Sequence, residues 1–248
     1  MPDIRYGLIG KTLKHSFSQN YFTEKFKKEN IKGITYDLFE LPQIQEVARL
    51  FEIKNLKGFN ITIPYKEEIL PYLQKLDHSA HKIGAVNVVK INPDGSRTGY
   101  NSDYYGFKTS LKNWVNTSQI NGALILGTGG ASKAIKAALV DLSIDFKTIS
   151  RSKENGHFTY QDLNSSPHII GNHQLIINCT PLGTFPDVMP KPAIPYHLLT
   201  SGHYLYDLVY NPEETSFMKE GLIHGAKVKN GLEMLILQAE KSWEIWNS

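Results

Sequence analysis

Three polar side chains in the first half of the chain lie beside strand-like runs, and two of them, a lysine and an aspartate, suit proton transfer. Lys66 closes the segment NITIPYK, Asn87 interrupts the apolar run AVNVVKI, and Asp103 stands at the start of a helix-like segment. Open α/β sheets bind ligands at the carboxyl ends of their strands, so Lys66 stands where a ligand is expected. An ammonium group can donate a proton and take one back, and a nearby carboxylate can orient it.

Each of these residues also has a purely structural interpretation. Asn87 can satisfy backbone groups in a bend, Asp103 can cap its helix, and Lys66 can be a solvated surface lysine. Taken singly, the three residues favour those interpretations. Only their combination with other motifs argues for catalysis.

A second group of residues is suited to binding a dinucleotide. The strand-like run ALIL is followed by Gly127-Thr128-Gly129-Gly130-Ala131-Ser132 and then by a helix-like segment. Gly127 permits a tight turn, Gly129 lets a pyrophosphate approach the backbone, and the small Ser132 allows close packing of helix on strand. The first backbone N–H groups of the helix would then bind the phosphates. A glycine turn with a structural role alone is the alternative.

The end of the next strand-like run favours NADP over NAD. An NAD site places Asp or Glu there against the ribose hydroxyls, but this chain has Ser150-Arg151-Ser152-Lys153. Arg151 can clasp or stack on a 2′-phosphate and adenine, Lys153 adds positive charge, and the two serines can donate hydrogen bonds. The alternative is a solvated basic loop.

Composition argues against several other classes of function. A net charge of +3 with scattered lysines predicts no nucleic-acid partner, and no run approaches the roughly 18 apolar residues of a membrane span. The histidines lack metal-ligand spacing, so we expect no metal, and the single Cys179 is expected to be a packed strand thiol. Because no segment resembles a secretory signal, we expect a cytoplasmic protein.

The elements that position these residues alternate between strand-like and helix-like patterns, which predicts an α/β fold. A turn at 93–95 indicates a hairpin and therefore a mixed sheet in the first half. The expected strands are 4–9, 34–39, 58–63 and 85–91, and helix-like stretches lie near 43–51 and 65–76.

A second α/β series begins at Asn121 and contains the glycine loop, which predicts a Rossmann-like domain. The last stretch, Leu232 to Trp246, predicts an amphipathic helix that packs against the first domain. We therefore expect a mixed-sheet α/β substrate domain of residues 1–103 plus 231–248. Residues 104–230 form the expected Rossmann-like NADP-binding domain, with the active site in the cleft between the two domains.

The order of the motifs resembles that of one family, the shikimate dehydrogenases. The resemblance runs from about residue 7 to residue 239 and rests on nine segments. They are His15-Ser16-Phe17-Ser18, NITIPYK, GAVNVV, GYNSDYYG, GTGGAS, SRS, NCTPLG, YDLVYNP and NGLEMLILQA. The resemblance implies a reversible, NADPH-dependent reduction of 3-dehydroshikimate to shikimate in aromatic amino acid biosynthesis.

The resemblance also implies roles for individual residues. In the family, the serines of the first motif hold the substrate carboxylate, and Lys66 and Asp103 match the catalytic pair. Lys66 would be the acid/base, and Asp103 would orient it and hydrogen-bond the substrate hydroxyls. The implied substrate-binding residues are Ser16, Ser18, Asn60, Thr62, Asn87, Tyr210 and Gln238. Thr180, Leu208 and Gly231 fall at cofactor positions.

The chain departs from the family pattern in three places. Gln19 replaces a proline, Ser-Arg-Ser replaces Asn-Arg-Thr at the adenosine phosphate, and Thr184 replaces a methionine beside the nicotinamide. The last change replaces a long apolar side chain of that pocket with a short polar one.

Two other functions stay open. Ser16 and Arg151 argue against a quinate or broad-specificity quinate/shikimate dehydrogenase. The presence of Lys66, Asp103 and Gln238 together argues against a non-catalytic NADP-binding regulator. For the enzyme we expect a small-molecule substrate and a monomer or homodimer.

Overall fold

The computed structural model describes residues 3–13 and 16–248. The chain forms two compact units, unit 1 of Met1–Ser102 with Ala239–Ser248 and unit 2 of Asp103–Gln238. Within the described ranges, no helix combines the length and the apolar character needed to cross a bilayer.

Unit 1 is built on a mixed sheet. In the described residues its strands are β1 (Ile4–Gly10), β2 (Ile34–Glu40), β3 (Gly58–Ile61), β4 (Lys75–Leu76), β5 (Val88–Ile91) and β6 (Arg97–Tyr100). Their order is β2-β1-β3-β5-β6-β4. Strand β1 is parallel to β2 and β3, whereas β5 is antiparallel to both β3 and β6. The predicted hairpin and the mixed sheet are confirmed.

Apolar residues cover both faces of this sheet. On one face Ile9 and Phe59 pack with helix α2 (Val47–Leu50) and with Ala80 of helix α3 (His78–Ile83). On the other, Tyr6 and Val88 pack with Phe22 of helix α1 (Phe17–Lys28). Successive side chains of a strand point to opposite faces, which is why β1 contributes to both clusters.

The helix predicted over 65–76 is wrong. Tyr65 and Ile69 recur at helical spacing and are buried, but the segment forms turns, a short 3₁₀ helix at Leu70–Tyr72 and strand β4. Pro71 opposes the helix, because proline has no N–H with which to continue the helical hydrogen bonding that Ile69 begins with the Tyr65 carbonyl. The chain leaves the turn in extended form and pairs with β6.

Unit 2 is built on a parallel sheet. Its strands, in the described residues, are β7 (Ala123–Leu126), β8 (Phe146–Ser150), β9 (Phe158–Thr159), β10 (Leu175–Asn178), β11 (Tyr204–Asp207) and β12 (Lys227–Lys229). The order β12-β11-β10-β7-β8-β9 is that of the Rossmann fold, with the switch point between β7 and β10. The predicted Rossmann-like fold is confirmed, although the short edge strands β9 and β12 were not predicted.

Helices enclose this sheet on both faces. They are α4 (Ser102–Trp114), α5 (Gly130–Asp141), α6 (Tyr160–Ser165), α7 (His168–Gly171), α8 (Ser216–Ile223) and α9 (Leu232–Asn247). Ala123 and Ile125 pack toward α4 and α5, whereas Leu124 and Leu126 pack toward α6, α7 and α8. This burial of β7 on both faces matches its continuous apolar sequence.

Helix α9 crosses the boundary between the units, since Gln238 belongs to unit 2 and Ala239 to unit 1. In unit 1, Trp246 stacks on Tyr6 at 4.5 Å between ring centroids and donates from Nε1 to the carbonyl of Val89 at 3.0 Å. A Cβ on Gly58 would lie 2.4 Å from Trp246 Nε1, so glycine is needed there for the close approach.

Candidate functional site

One edge of the unit 1 sheet brings several strand ends together. Asn60 near the end of β3 pairs with Val88 at the start of β5, and Val88 pairs with Tyr100 at the end of β6. Lys66 follows β3, and its carbonyl accepts from the N–H of Val86 at 2.7 Å. The backbone of Lys66 is therefore tied to the segment that contains Asn87, as expected for residues grouped at a ligand-binding edge.

A buried polar network begins at Asn60, which is 5% exposed. Its Oδ1 accepts from the Tyr36 hydroxyl at 2.8 Å, and its Nδ2 donates to Ser242 Oγ at 2.9 Å and to the Asn87 carbonyl at 3.2 Å. Both the acceptor and the donor group of this amide thus have partners inside unit 1. Asn60 holds other polar residues in place.

The same network continues through Asn87. Its Oδ1 accepts from the backbone N–H of Ser102 at 2.7 Å, and its Nδ2 donates to Ser102 Oγ at 3.1 Å. Ser102 Oγ lies 3.2 Å from Ser242 Oγ, which closes the network. The structural interpretation of Asn87 is therefore correct for these contacts. They also fix the backbone that leads into Asp103, the acidic residue in the first turn of α4.

The serines of the first motif lie at the start of α1. Ser16 is the N-cap, and its hydroxyl accepts from the N–H of Gln19 at 3.3 Å. Ser18 is buried and hydrogen-bonds Tyr36, whose pKa is raised by burial and lowered by that hydrogen bond, with burial the larger effect. Tyr36 therefore connects Ser18 to Asn60. His15 of the same motif lies outside the described residues.

Thr62 follows β3 directly and is half-buried. Its N–H donates to the Ile9 carbonyl at 2.9 Å, which keeps it beside the end of β1. A Cβ on Gly10 would lie 2.6 Å from Thr62 Cγ2, so the segment after β3 approaches the end of β1 closely there.

The glycine loop of unit 2 has the geometry of a phosphate-binding turn. Gly127 has a φ of 97°, which favours glycine, and its N–H donates to the Ile149 carbonyl at 2.9 Å. Gly129 is the N-cap of α5, and neither it nor Gly130 would bring an added Cβ within 4 Å of a heavy atom in the described residues. The packing of the protein therefore does not explain these two glycines, whereas a ligand lying against the loop would.

Ser132 is fully buried in the first turn of α5. Its N–H and its hydroxyl both bond to the Gly129 carbonyl, at 2.9 and 2.7 Å. It thus fixes the turn, whereas Thr128 in the loop and Ala131 in α5 are partly exposed.

Thr180 faces the glycine loop across the switch point of the sheet. A Cβ on Gly127 would lie 2.9 Å from Thr180 Cγ2. The Thr180 N–H and hydroxyl donate to Asn178 Oδ1 at 3.0 and 2.6 Å. Asn178 is buried at the end of β10, so the position of Thr180 is set by a side chain of the sheet.

Leu208 and Gly231 lie against each other. A Cβ on Gly231 would lie 2.1 Å from the Leu208 carbonyl oxygen, and the Gly231 N–H donates to the Val209 carbonyl at 3.1 Å. Tyr210 is half-buried in the same segment, and burial raises the pKa of its hydroxyl.

The end of β8 places the basic residues at the surface. Arg151 is exposed, Ser150 is buried, and the Ser152 N–H donates to Ser150 Oγ at 3.4 Å. Lys153 is also exposed and lies 3.9 Å from a carboxylate oxygen of Asp162, a weak surface pair.

The remaining predicted residues divide between the units. Lys66 belongs to unit 1, and Asp103, Tyr210 and Gln238 belong to unit 2. Gln238 is buried in α9, where its Nε2 donates to the Leu235 carbonyl at 3.0 Å.

Two other candidate chemistries find no support in the part of the chain that the structure describes. It holds no group of three or more His, Cys, Asp or Glu side chains able to bind a metal. Burial, and secondarily the nearby charge of Asp207, raises the pKa of the Cys179 thiol. A raised thiol pKa disfavours the nucleophilic thiolate.

The sequence interpretation missed several polar residues that organise the site. Tyr36, Ser102 and Ser242 have no distinctive spacing, and only the fold brings them to Asn60. Asp207 carried a signal, because a charged residue within the apolar run HYLYDLVY is unusual.

Comparisons with known proteins agree over nearly the whole chain. The family model for the shikimate dehydrogenase substrate binding domain matches residues 8–89. The shikimate dehydrogenase (NADP(+)) of Clostridium beijerinckii is 38% identical, over 97% of this chain and 91% of its own.

Solved structures give the same result. A chorismate mutase/shikimate 5-dehydrogenase fusion protein from Clostridium acetobutylicum is 36% identical with a TM-score of 0.86, over 100% of this chain and 91% of that one. A shikimate dehydrogenase in complex with NADP+ is 31% identical with a TM-score of 0.84, over 98% and 89%. This chain belongs to the shikimate dehydrogenase family.

Proposed function

We propose that this protein catalyses the reversible, NADPH-dependent reduction of 3-dehydroshikimate to shikimate. The observation that carries the proposal is the strand edge of unit 1. There, hydrogen bonds connect the Lys66 backbone to the segment that contains Asn87, and connect Asn87 to the backbone that leads into Asp103. The other unit of the same protein has a Rossmann sheet and a glycine loop. Relatives named for this activity support it.

We propose that unit 2 binds the cofactor, NADPH, and that unit 1 binds the substrate, 3-dehydroshikimate. The open space before Gly129 and Gly130 fits a pyrophosphate, and the first N–H groups of α5 have no capping side chain among the described residues. Arg151 would bind the 2′-phosphate through its guanidinium, and Ser150, Ser152 and Lys153 would surround it. NADPH, when bound, supplies the hydride for the carbonyl carbon.

Lys66 is the residue we assign to proton transfer. In the reducing direction its ammonium would donate a proton to the carbonyl oxygen of the substrate, and in the oxidising direction the neutral amine would accept one from the hydroxyl. Asp103 would hydrogen-bond the same hydroxyl and keep Lys66 oriented.

Other polar groups would orient the substrate, 3-dehydroshikimate. Ser16 and Ser18 stand at the N-terminus of α1, where hydroxyls and the helix dipole favour a carboxylate. Thr62, Asn87, Tyr210 and Gln238 would bind ring hydroxyls. For Asn60 we propose an indirect role, since its amide already bonds Tyr36, Ser242 and the Asn87 carbonyl.

Spectrophotometry at 340 nm with a panel of substrates tests the proposal. The purified protein should oxidise NADPH with 3-dehydroshikimate, react much more slowly with 3-dehydroquinate, and use NADH poorly. Equal rates with 3-dehydroquinate would indicate the broad-specificity alternative. Tight NADPH binding without turnover of either acid would indicate a non-catalytic regulator.

We further propose a cytoplasmic enzyme of the shikimate pathway that acts as a monomer or homodimer. Fractionation of the source cells and light scattering of the purified protein test the two parts separately. A membrane-bound pool, or a larger assembly in solution, would contradict them.

A further inference from the structure

A buried carboxylate stands outside the groups assigned above. Asp207 ends β11 and is fully buried. Its Oδ1 accepts from Asn178 Nδ2 at 2.9 Å and from the N–H of Val209 at 3.0 Å, and its Oδ2 accepts from the Thr215 hydroxyl at 2.6 Å. These partners are neutral donors, so the carboxylate is solvated by dipoles of the protein.

The three donors belong to three different segments. Asn178 ends β10 and in turn accepts both hydrogen bonds of Thr180. Val209 lies between Leu208 and Tyr210. Thr215 is the N-cap of α8. One carboxylate therefore connects the segments of two assigned cofactor residues and one assigned substrate residue.

An acceptor-only group is required at this position. Two carboxylate oxygens can serve three donors, whereas an amide has one acceptor and would turn an NH₂ group toward one of them. Burying a charge among neutral groups is costly, and burial raises the pKa of Asp207 to about 6 despite the three hydrogen bonds. A role in overall stability alone does not explain why a carboxyl group occupies this site.

We propose that Asp207 is a positioning residue for the cofactor site, which holds Thr180 through Asn178 and holds the Leu208–Tyr210 segment through Val209. The inference rests on the proposed function, because that function assigns Thr180 and Leu208 to the cofactor. Its test measures cofactor binding directly and does not require turnover.

The test compares variants of the full-length protein by NADPH fluorescence titration, with thermal unfolding measured alongside. Asp207→Ala should raise the Kd for NADPH about tenfold or more, because it releases both Asn178, which holds Thr180, and the N–H of Val209. Asn178→Ala should raise the Kd nearly as much, because it releases Thr180. In this variant the Asp207 carboxylate keeps its hydrogen bonds from Val209 and Thr215. Asp207→Asn should recover part of the affinity, since an amide oxygen can still accept from Asn178 and Val209.

Thr215→Val is the matched control for a purely structural role. It removes the third hydrogen bond and the cap of α8, so it should lower the unfolding temperature, yet it should leave the Kd for NADPH within about twofold of wild type. If Asp207→Ala does not fold, the Asn178→Ala and Thr215→Val comparison decides the question.

The proposal is overturned if Asn178→Ala binds NADPH as wild type does, or if Thr215→Val weakens binding as much as Asn178→Ala. Failure of the proposed function is a separate result, in which the wild-type protein binds NADPH but does not reduce 3-dehydroshikimate.

Discussion

Replacing Tyr36 with phenylalanine removes one oxygen atom from the centre of the unit 1 network. The Tyr36 hydroxyl donates to Asn60 Oδ1 at 2.8 Å and is hydrogen-bonded by Ser18, and both partners are buried. The ring itself stays, stacked on Phe22 at 4.6 Å between centroids. The substitution therefore tests the hydrogen bonds with little change in apolar packing.

The expected cost follows from burial. A buried polar group that loses its partner typically costs about 1 to 3 kcal/mol, so we expect Tyr36→Phe to lower the free energy of unfolding by about that amount. Because Ser18 and Asn60 both lose a partner, the KM for shikimate should rise about threefold to tenfold, while the KM for NADP+ stays near its wild-type value.

Urea unfolding and steady-state kinetics measure these effects, with Tyr6→Phe as the matched control. Tyr6 is a buried residue of the same apolar cluster, but its hydroxyl has no hydrogen-bond partner among the described residues and is not one of their buried unpartnered atoms, so it reaches solvent. Tyr6→Phe should cost less than about 0.5 kcal/mol. If Tyr36→Phe were as stable as wild type, or if Tyr6→Phe were equally destabilised, the hydrogen bonds of the Tyr36 hydroxyl would not stabilise unit 1.

Three further predictions concern unit 2. Gly231→Ala would place a Cβ 2.1 Å from the Leu208 carbonyl oxygen, so fluorescence titration should show NADPH binding weakened by about tenfold or more, whereas Gly202→Ala, whose Cβ would meet Thr200 Oγ1 at an ordinary contact distance of 3.5 Å, should bind normally. Arg151→Ala should lower kcat/KM for NADPH by about tenfold to a hundredfold and leave the value for NADH nearly unchanged; an equal loss with both would argue against a 2′-phosphate contact. Because folding raises the pKa of Asp207 from 3.8 to about 6, this group stabilises the fold most below pH 3.8 and loses up to about 3 kcal/mol of stabilisation as the pH rises through 6. Urea titrations should find this pH dependence reduced in Asp207→Asn, and an unchanged dependence would contradict the assignment.

Local patterns were sufficient to predict most of the regular structure. The apolar runs at Ile4 and Ala123 became buried strands, and the glycine loop before α5 adopted the predicted turn, because each depends on residues close in sequence. The segment 65–76 was different, since its apolar spacing favoured a helix and Pro71 opposed one.

Contacts between distant residues were the part that the sequence did not reveal. Ser242 lies 182 residues after Asn60 in the sequence, and the two side chains meet only because α9 packs on the sheet of unit 1. Asn60 itself matched a family position. Only the structure showed that the oxygen and the nitrogen of its side-chain amide both hydrogen-bond within the protein. Such partners depend on tertiary packing, which sequence spacing does not encode.

Proton transfer by Lys66 is the step on which the proposed NADPH-dependent reduction of 3-dehydroshikimate depends. Wild type, Lys66→Ala and the control Lys57→Ala, an exposed lysine before β3, should be compared for turnover and for NADPH binding. We expect Lys66→Ala to lower kcat by about 10² to 10⁴ and to leave the Kd for NADPH within about twofold, with Lys57→Ala unchanged in both. Near-normal turnover of 3-dehydroshikimate by Lys66→Ala would contradict it.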